Sequence, residues 1–202
     1  MPPFIIYSLP RSRTAWLASF LTYLDWVCDH ERAIHMRSIE DVQRFFAQPQ
    51  HGTVETGVAQ GWRLIHHWVP DIRAVVVCRP VADAVRSMIA AAEGIVTYDE
   101  AKLLRLMEYG DRMLSQISAL PGVLTIEFDA LATEGGCAAI FEHCLPYQFD
   151  RAWWAEMRDR NVQVDLASFF QGYFANRGAV ENFKSVCYAE LRRLRRSGEL
   201  RR

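Results

Sequence analysis

Short apolar runs alternate with segments of helical periodicity along most of this chain. The clearest run is 74–78, which is rich in β-branched residues and ends at Arg79 and Pro80. Strands are also predicted at 4–8, 25–30 and 123–128, and helices at 14–24, 39–46, 57–68, 81–92, 99–120, 134–144, 150–159 and 181–196. Because parallel strands need long crossovers, the alternation predicts a three-layer α/β fold, a mostly parallel sheet flanked by helices.

Three further expectations concern loops and domain organisation. Segment 48–56 is predicted to be a loop because it contains Pro49 and Gly52. Ser12 or Thr14 is predicted to cap the first helix. With 202 residues, the chain 1–202 is predicted to be a single domain, with its ligand-binding motifs within 4–131 and a helical remainder, 132–202, that ends in a basic tail.

The charge is balanced overall but unevenly distributed. The chain carries 23 basic and 24 acidic residues, and Lys102 and Lys184 are its only lysines. Residues 192–202 hold six arginines and one glutamate, which leaves a net charge of −6 on the rest of the chain. This mildly acidic body argues against nucleic-acid binding as the main role. The tail is either a solvated helix end or a contact for an anionic partner.

The cysteine pattern and the apolar runs bear on location. The five cysteines include no C-x-x-C pair, so we expect free thiols, a cytoplasmic location and no metal site. No apolar run is long enough to span a membrane, and the N-terminus lacks the features of a signal peptide. The sequence leaves the oligomeric state open.

The first predicted strand runs directly into a segment suited to anion binding. Arg11, Ser12, Arg13 and Thr14 lie between this strand and the following helix. A helix N-terminus offers free N–H groups and a partial positive charge, and arginine binds phosphate or sulfate with two parallel donors. The Walker A pattern, with its loop lysine, is absent.

Pro10–Trp16 resembles the 5′-phosphosulfate loop of sulfotransferases that use 3′-phosphoadenosine 5′-phosphosulfate (PAPS), in their bacterial or phage form. The resemblance implies that Arg11, Ser12 and Thr14 bind the phosphosulfate and that Trp16 stacks on adenine. Arg13 replaces the family's glycine and brings a further charge near the phosphates, and Ala15 replaces a hydroxyl residue. The implied architecture is a P-loop NTPase-like sulfotransferase fold.

A second segment resembles the family's 3′-phosphate site. Arg79 ends a strand and Ser87 follows eight residues later, the spacing that the family uses. The segment 123–131 is similar to the family's Y-E-D-L strand, with Phe128 in place of the tyrosine. Residues 176–178 resemble its late phosphate loop, which implies Arg177 as a further 3′-phosphate ligand.

Sulfuryl transfer requires a base that removes the acceptor's proton. Glu31 lies just past a predicted strand, where some family members carry a glutamate base, and His30 is the second candidate. The remaining candidates are Glu55, His51, His66 and His67.

The resemblance implies transfer of a sulfuryl group from PAPS to a hydroxyl or amine, with release of adenosine 3′,5′-bisphosphate (PAP). The acceptor is expected to be a small molecule or a glycan, bound on the side of 132–202. Three alternatives remain open: a P-loop nucleotide kinase, a non-catalytic nucleotide-binding module, and a basic-tailed scaffold that binds no nucleotide.

Overall fold

Five strands form one sheet in the computed structural model, which describes residues 1–200. They are β1 (Phe4–Ser8), β2 (Val27–His30), β3 (His51–Glu55), β4 (Arg73–Cys78) and β5 (Leu124–Glu127). Their order is β2-β3-β1-β4-β5, and every neighbouring pair is parallel. The predicted α/β class is confirmed, and all five strands end at the same edge of the sheet.

Residues 1–200 contain eight helices. They are α1 (Thr14–Leu21), α2 (Ile39–Phe46), α3 (Trp62–Trp68), α4 (Val81–Ala91), α5 (Glu100–Ser118), α6 (Glu134–Cys144), α7 (Arg151–Met157) and α8 (Leu166–Ser197). Short 3₁₀ turns lie at Arg32–His35, Ala59–Gly61 and Phe128–Ala132. None of the helices described within 1–200 has both the length and the apolar character of a membrane span.

The core consists of two apolar layers, one on each face of the sheet. Because side chains alternate along a strand, Phe4 and Ile6 point to one face and Ile5 and Tyr7 to the other. The first layer packs against α1, α6 and α7, and the second against α2, α3, α4 and α5. β1 is buried along its whole length and is the middle strand of the sheet, so the loop that follows it lies at the centre of the sheet edge.

The prediction of a loop at 48–56 was wrong, because β3 lies there. Gly52 makes this segment look like a loop in the sequence. The structure requires a glycine here, because a Cβ at this position would overlap the ring of Phe4, its neighbour on β1. His51 and Thr53 add polarity to a strand that is buried from Gly52 to Glu55. The apolar pattern that identified the other strands is therefore missing from β3.

Two helix predictions also need correction. Arg13, in the left-handed conformation, occupies the N-cap of α1, so neither Ser12 nor Thr14 caps this helix. α8 begins fifteen residues earlier than predicted, after an Asp165 side chain that accepts hydrogen bonds from the N–H groups of Ala167 and Ser168. The last two arginines of the predicted basic tail lie outside the described residues.

Candidate functional site

The loop after β1 has an unusual backbone. Arg11 and Arg13 both adopt positive φ, 68° and 57°, on either side of Ser12. Ser12 is fully buried, and its hydroxyl has no partner among the described residues. No side chain in the described chain caps the first N–H groups of α1. A buried hydroxyl and uncapped N–H groups at one helix N-terminus form a site suited to an anion.

Arg79 joins this loop from the end of β4. Its guanidinium donates to the carbonyl oxygen of Arg11 and lies over the ring of Phe128, 4.2 Å from the ring centroid. Burial lowers the pKa of Arg79, and of the nearby charges Asp83 and Asp129 oppose this shift whereas Arg11 adds to it. Arg11 in turn donates from Nε to the Ser87 hydroxyl at 3.4 Å. The structure thus brings together three residues that the sequence predicted as phosphate ligands.

Arg13 is held away from this group by its own contacts. Its guanidinium donates to the carbonyl oxygens of Leu131 and Arg158, each at 3.2 Å, and lies 4.4 Å from the ring centroid of Trp16. The side chain that replaces the family's glycine therefore fastens the loop to the chain after α7. Arg13 as a direct phosphate ligand stays a prediction.

Trp16 is part of the core. Its ring stacks on Phe20, its Nε1 donates to the carbonyl oxygen of Met157 at 2.8 Å, and only 2% of its surface is exposed. An edge of Trp16 still lines a cleft of about 180 Å³ at the start of α1. Adenine stacking on this ring stays a prediction. It requires that one face of the indole, which other side chains now cover, become accessible to the ligand.

The opposite wall of this cleft comes from the connection between α7 and α8. Residues 160–164 face Arg11, Arg13 and Thr14 across it. Arg160 thereby adds a cation that sequence analysis did not identify. No local motif marks it, since its position depends on how α7 packs against α1.

The two favoured base candidates lie at the end of β2. Glu31 has a φ of 55° and is 6% exposed, and its Oε1 accepts from the N–H (3.1 Å) and hydroxyl (2.5 Å) of Thr56. Burial raises the pKa of Glu31 to about 7. His30 Nε2 lies 2.9 Å from the Thr14 hydroxyl, and burial lowers the pKa of His30 to about 4. A base with a pKa near neutrality is the stronger candidate at neutral pH.

Glu55 lies beside Glu31 at the end of the neighbouring strand, β3. Its Oε1 accepts from the Thr53 hydroxyl at 2.6 Å and from the N–H of Ala33 at 3.0 Å. Burial and the Glu31 charge raise the pKa of Glu55 to about 8. Sequence analysis included Glu55 among the base candidates but placed it in a loop, because β3 was not recognised.

The remaining candidates lie elsewhere. His51 begins β3, at the opposite edge of the sheet, and contacts Asp29 at 3.1 Å. His66 stacks on Tyr7 with its Nε2 buried, and His67 is exposed. The expectation of a loop at 176–178 was wrong, because these residues lie within α8 and Arg177 is exposed there. Across residues 1–200 no group of three metal-ligating side chains is found.

Comparison with known proteins identifies the fold. No family model matches the chain, and no curated protein matches it in sequence. Among solved structures, the chain is similar to the mouse sulfotransferase SULT7A1 complexed with PAP, with a TM-score of 0.55 and 15% identity over 78% of this chain. The match spans 63% of the mouse protein's length. At this identity the likeness shows the fold alone, and the predicted P-loop NTPase-like sulfotransferase fold is confirmed.

Proposed function

We propose that this protein transfers a sulfuryl group from PAPS to a hydroxyl or amine acceptor and releases PAP. The observation that carries the proposal is the meeting of Arg11, Arg79 and Ser87 beside the buried hydroxyl of Ser12. These residues come from two β–α units that the chain separates by 68 residues. The fold shared with a sulfotransferase that was solved with PAP supports the same function.

The charges of this group suit a ligand with two anionic ends. Arg11 and Arg79 are close enough for the Arg11 charge to lower the pKa of Arg79, so the pair is stabilised when an anion lies against it. The N–H groups of α1 and the Ser12 hydroxyl would hold the 5′-phosphosulfate. Arg79 and Ser87 would hold the 3′-phosphate. Neither lysine lies in the loop, since Lys102 is in α5 and Lys184 in α8, which disfavours a kinase.

Glu31 supplies the base in this proposal. It removes the proton from the acceptor's hydroxyl or amine, whose oxygen or nitrogen then forms a bond to sulfur. The bond between sulfur and the bridging oxygen of PAPS breaks, and its electrons leave with PAP. Arg11 and the loop N–H groups stabilise the charge that develops on the bridging oxygen. The acceptor in this proposal is a small molecule or a glycan, and screening such compounds with labelled PAPS identifies it.

Calorimetric titration with PAP tests the donor site directly. We expect binding to the wild-type protein and its loss in Arg79→Ala. Arg86→Ala is the matched control, because Arg86 lies on α4 near Ser87 but is exposed and pairs with Asp83. Equal PAP affinity in wild type and Arg79→Ala would overturn the site assignment.

Two further measurements separate the alternatives. Arg11→Ala should lower sulfuryl transfer by about 10²–10³-fold, the cost of one lost donor to a developing oxyanion. Thermal protection by ATP with magnesium, without protection by PAP, would favour a nucleotide kinase. Binding of PAP without transfer to any acceptor would favour a non-catalytic module.

A further inference from the structure

Glu31 and Glu55 each bind the chain just after the other glutamate. The Glu31 carboxyl binds Thr56, the residue after Glu55, through both its N–H and its hydroxyl. The Glu55 carboxyl binds the N–H of Ala33, two residues after Glu31. Both glutamates are buried, with 6% and 1% of their surfaces exposed. The Glu31 charge raises the pKa of Glu55, so two buried acids this near to each other cannot both ionise without a large cost, and their surroundings decide which one does.

The surroundings of the two acids differ. Glu31 receives two donors on one oxygen and keeps slight contact with solvent. Glu55 also receives two donors on Oε1, but its Oε2 is sealed from solvent and has no partner in residues 1–200. An ionised Glu55 would leave a charged oxygen buried without a donor, which is costly. The neutral acid, with its proton on Oε2, avoids this cost.

We infer that Glu55 is a positioning residue for Glu31: it keeps a proton on Oε2 and fixes, through Ala33, the turn that begins at Glu31. Glu31 can then carry the negative charge of the pair, as a base requires. Glu31, with its left-handed backbone, occupies the N-cap position of this turn, the 3₁₀ segment Arg32–His35. The inference rests on the proposed role of Glu31 as the base.

The other titratable groups around the pair stay neutral near pH 7. Burial raises the pKa of Tyr7 on β1 and of Cys28 on β2. Burial lowers the pKa of His30 on β2 and of His66 on α3, which stacks on Tyr7. The charged side chain of Arg32, next to Glu31, is exposed. Among the buried groups at this place, the two glutamates are therefore the ones whose charge changes near neutrality.

Carboxyl titration followed by NMR, with ¹³C-labelled glutamate, tests the inference on the whole protein. In Glu55→Gln, a neutral isostere, the titration midpoint of Glu31 should stay unchanged. In Glu31→Gln, the midpoint of Glu55 should fall, because the charge that opposes its ionisation is gone. Glu127→Gln is the matched control at the exposed end of β5 and should move neither midpoint.

Either of two results would overturn the inference. One is a fall of about one pH unit or more in the Glu31 midpoint in Glu55→Gln, which would mean that Glu55 ionises first. The other is an unchanged Glu55 midpoint in Glu31→Gln. If Glu55→Gln does not fold, this second measurement tests the inference by itself. These titrations need no acceptor, so they test the inference independently of the transfer reaction. The activity of Glu31→Gln tests separately whether Glu31 is the base.

Discussion

His30 Nε2 lies 2.9 Å from the hydroxyl of Thr14, and this contact joins the end of β2 to the first residue of α1. The strand that carries the candidate base is thereby fixed to α1, the helix that follows the anion loop at residues 9–13. Glu31 follows His30 directly, and it is also held in place by its N–H bond to the Val54 carbonyl oxygen and by the two bonds from Thr56 to its carboxyl. This arrangement suits a base that must act on an acceptor placed beside the loop.

The roles of His30 and Glu31 can be separated by substitution. We expect Glu31→Gln to lower transfer of ³⁵S from labelled PAPS by about 10²–10⁴-fold, the usual contribution of a general base, while PAP affinity is kept. His30→Ala should retain most of the transfer rate, because the low pKa of His30 makes it a weak base. A larger loss in His30→Ala than in Glu31→Gln would reverse the two assignments.

The acid pair should also govern the pH dependence of stability. Glu31 and Glu55 bind protons more tightly in the folded chain than in the unfolded chain, where the ordinary pKa is 4.5. The free energy of unfolding should therefore fall as the pH rises towards about 8. His30 acts in the opposite direction below pH 6.5, so the range from 6.5 to about 8 isolates the pair.

Thermal unfolding across this pH range measures the effect. The wild-type midpoint temperature should fall as the pH rises, and the slope should be shallower in Glu31→Gln. Glu127→Gln should keep the wild-type slope, because Glu127 is exposed at the end of β5. A wild-type midpoint that rises across the same range would contradict the raised pKa values of the pair.

Gly52 should be intolerant of a side chain. Gly52→Ala places a methyl group against the ring of Phe4, which is fully buried in the core and has little room to move. We expect a loss of about 1–3 kcal/mol in the free energy of unfolding, the usual cost of overpacking. Denaturant unfolding checks this value. Gly57→Ala, with open space around its Cβ, should cost much less.

Arg13 should restrict the motion of the segment after α7. Arg13→Gly keeps the positive φ of the loop available but removes the hydrogen bonds to Leu131 and Arg158. We expect faster amide hydrogen exchange over 158–164. Arg158→Ala is the control, because it keeps the backbone carbonyl that Arg13 contacts. Unchanged exchange in Arg13→Gly would show that other contacts hold this segment.

The sequence predicted most of the fold because most elements carry a clear local pattern. β1 and α2 have the predicted bounds, and β4 differs from its predicted bounds by one residue. β3 was missed because the fit of Gly52 against Phe4 is a tertiary constraint with no local signal. The start of α8 was missed because Gly172 and Gly178 lower helix propensity within it.

The candidate site was likewise predicted only in part. Arg11, Arg79 and Ser87 were predicted from the resemblance of two segments to sulfotransferase motifs, and the structure brings the three residues into contact. Arg160 lines the cleft through the packing of α7, which no spacing in the sequence encodes. The bonds from Thr56 to Glu31 and from Ala33 to Glu55 depend on β2 pairing with β3, so they could not be predicted while β3 was assigned as a loop.

The anion loop and its partner strand contain arginine as their only cation. A guanidinium stays charged at every pH at which a protein of this kind is folded, whereas a buried lysine can lose its proton. The positive charge of the loop and of Arg79 is therefore constant with pH. Any pH dependence in donor affinity would then report on the ligand's own phosphates or on the acids at the ends of β2 and β3.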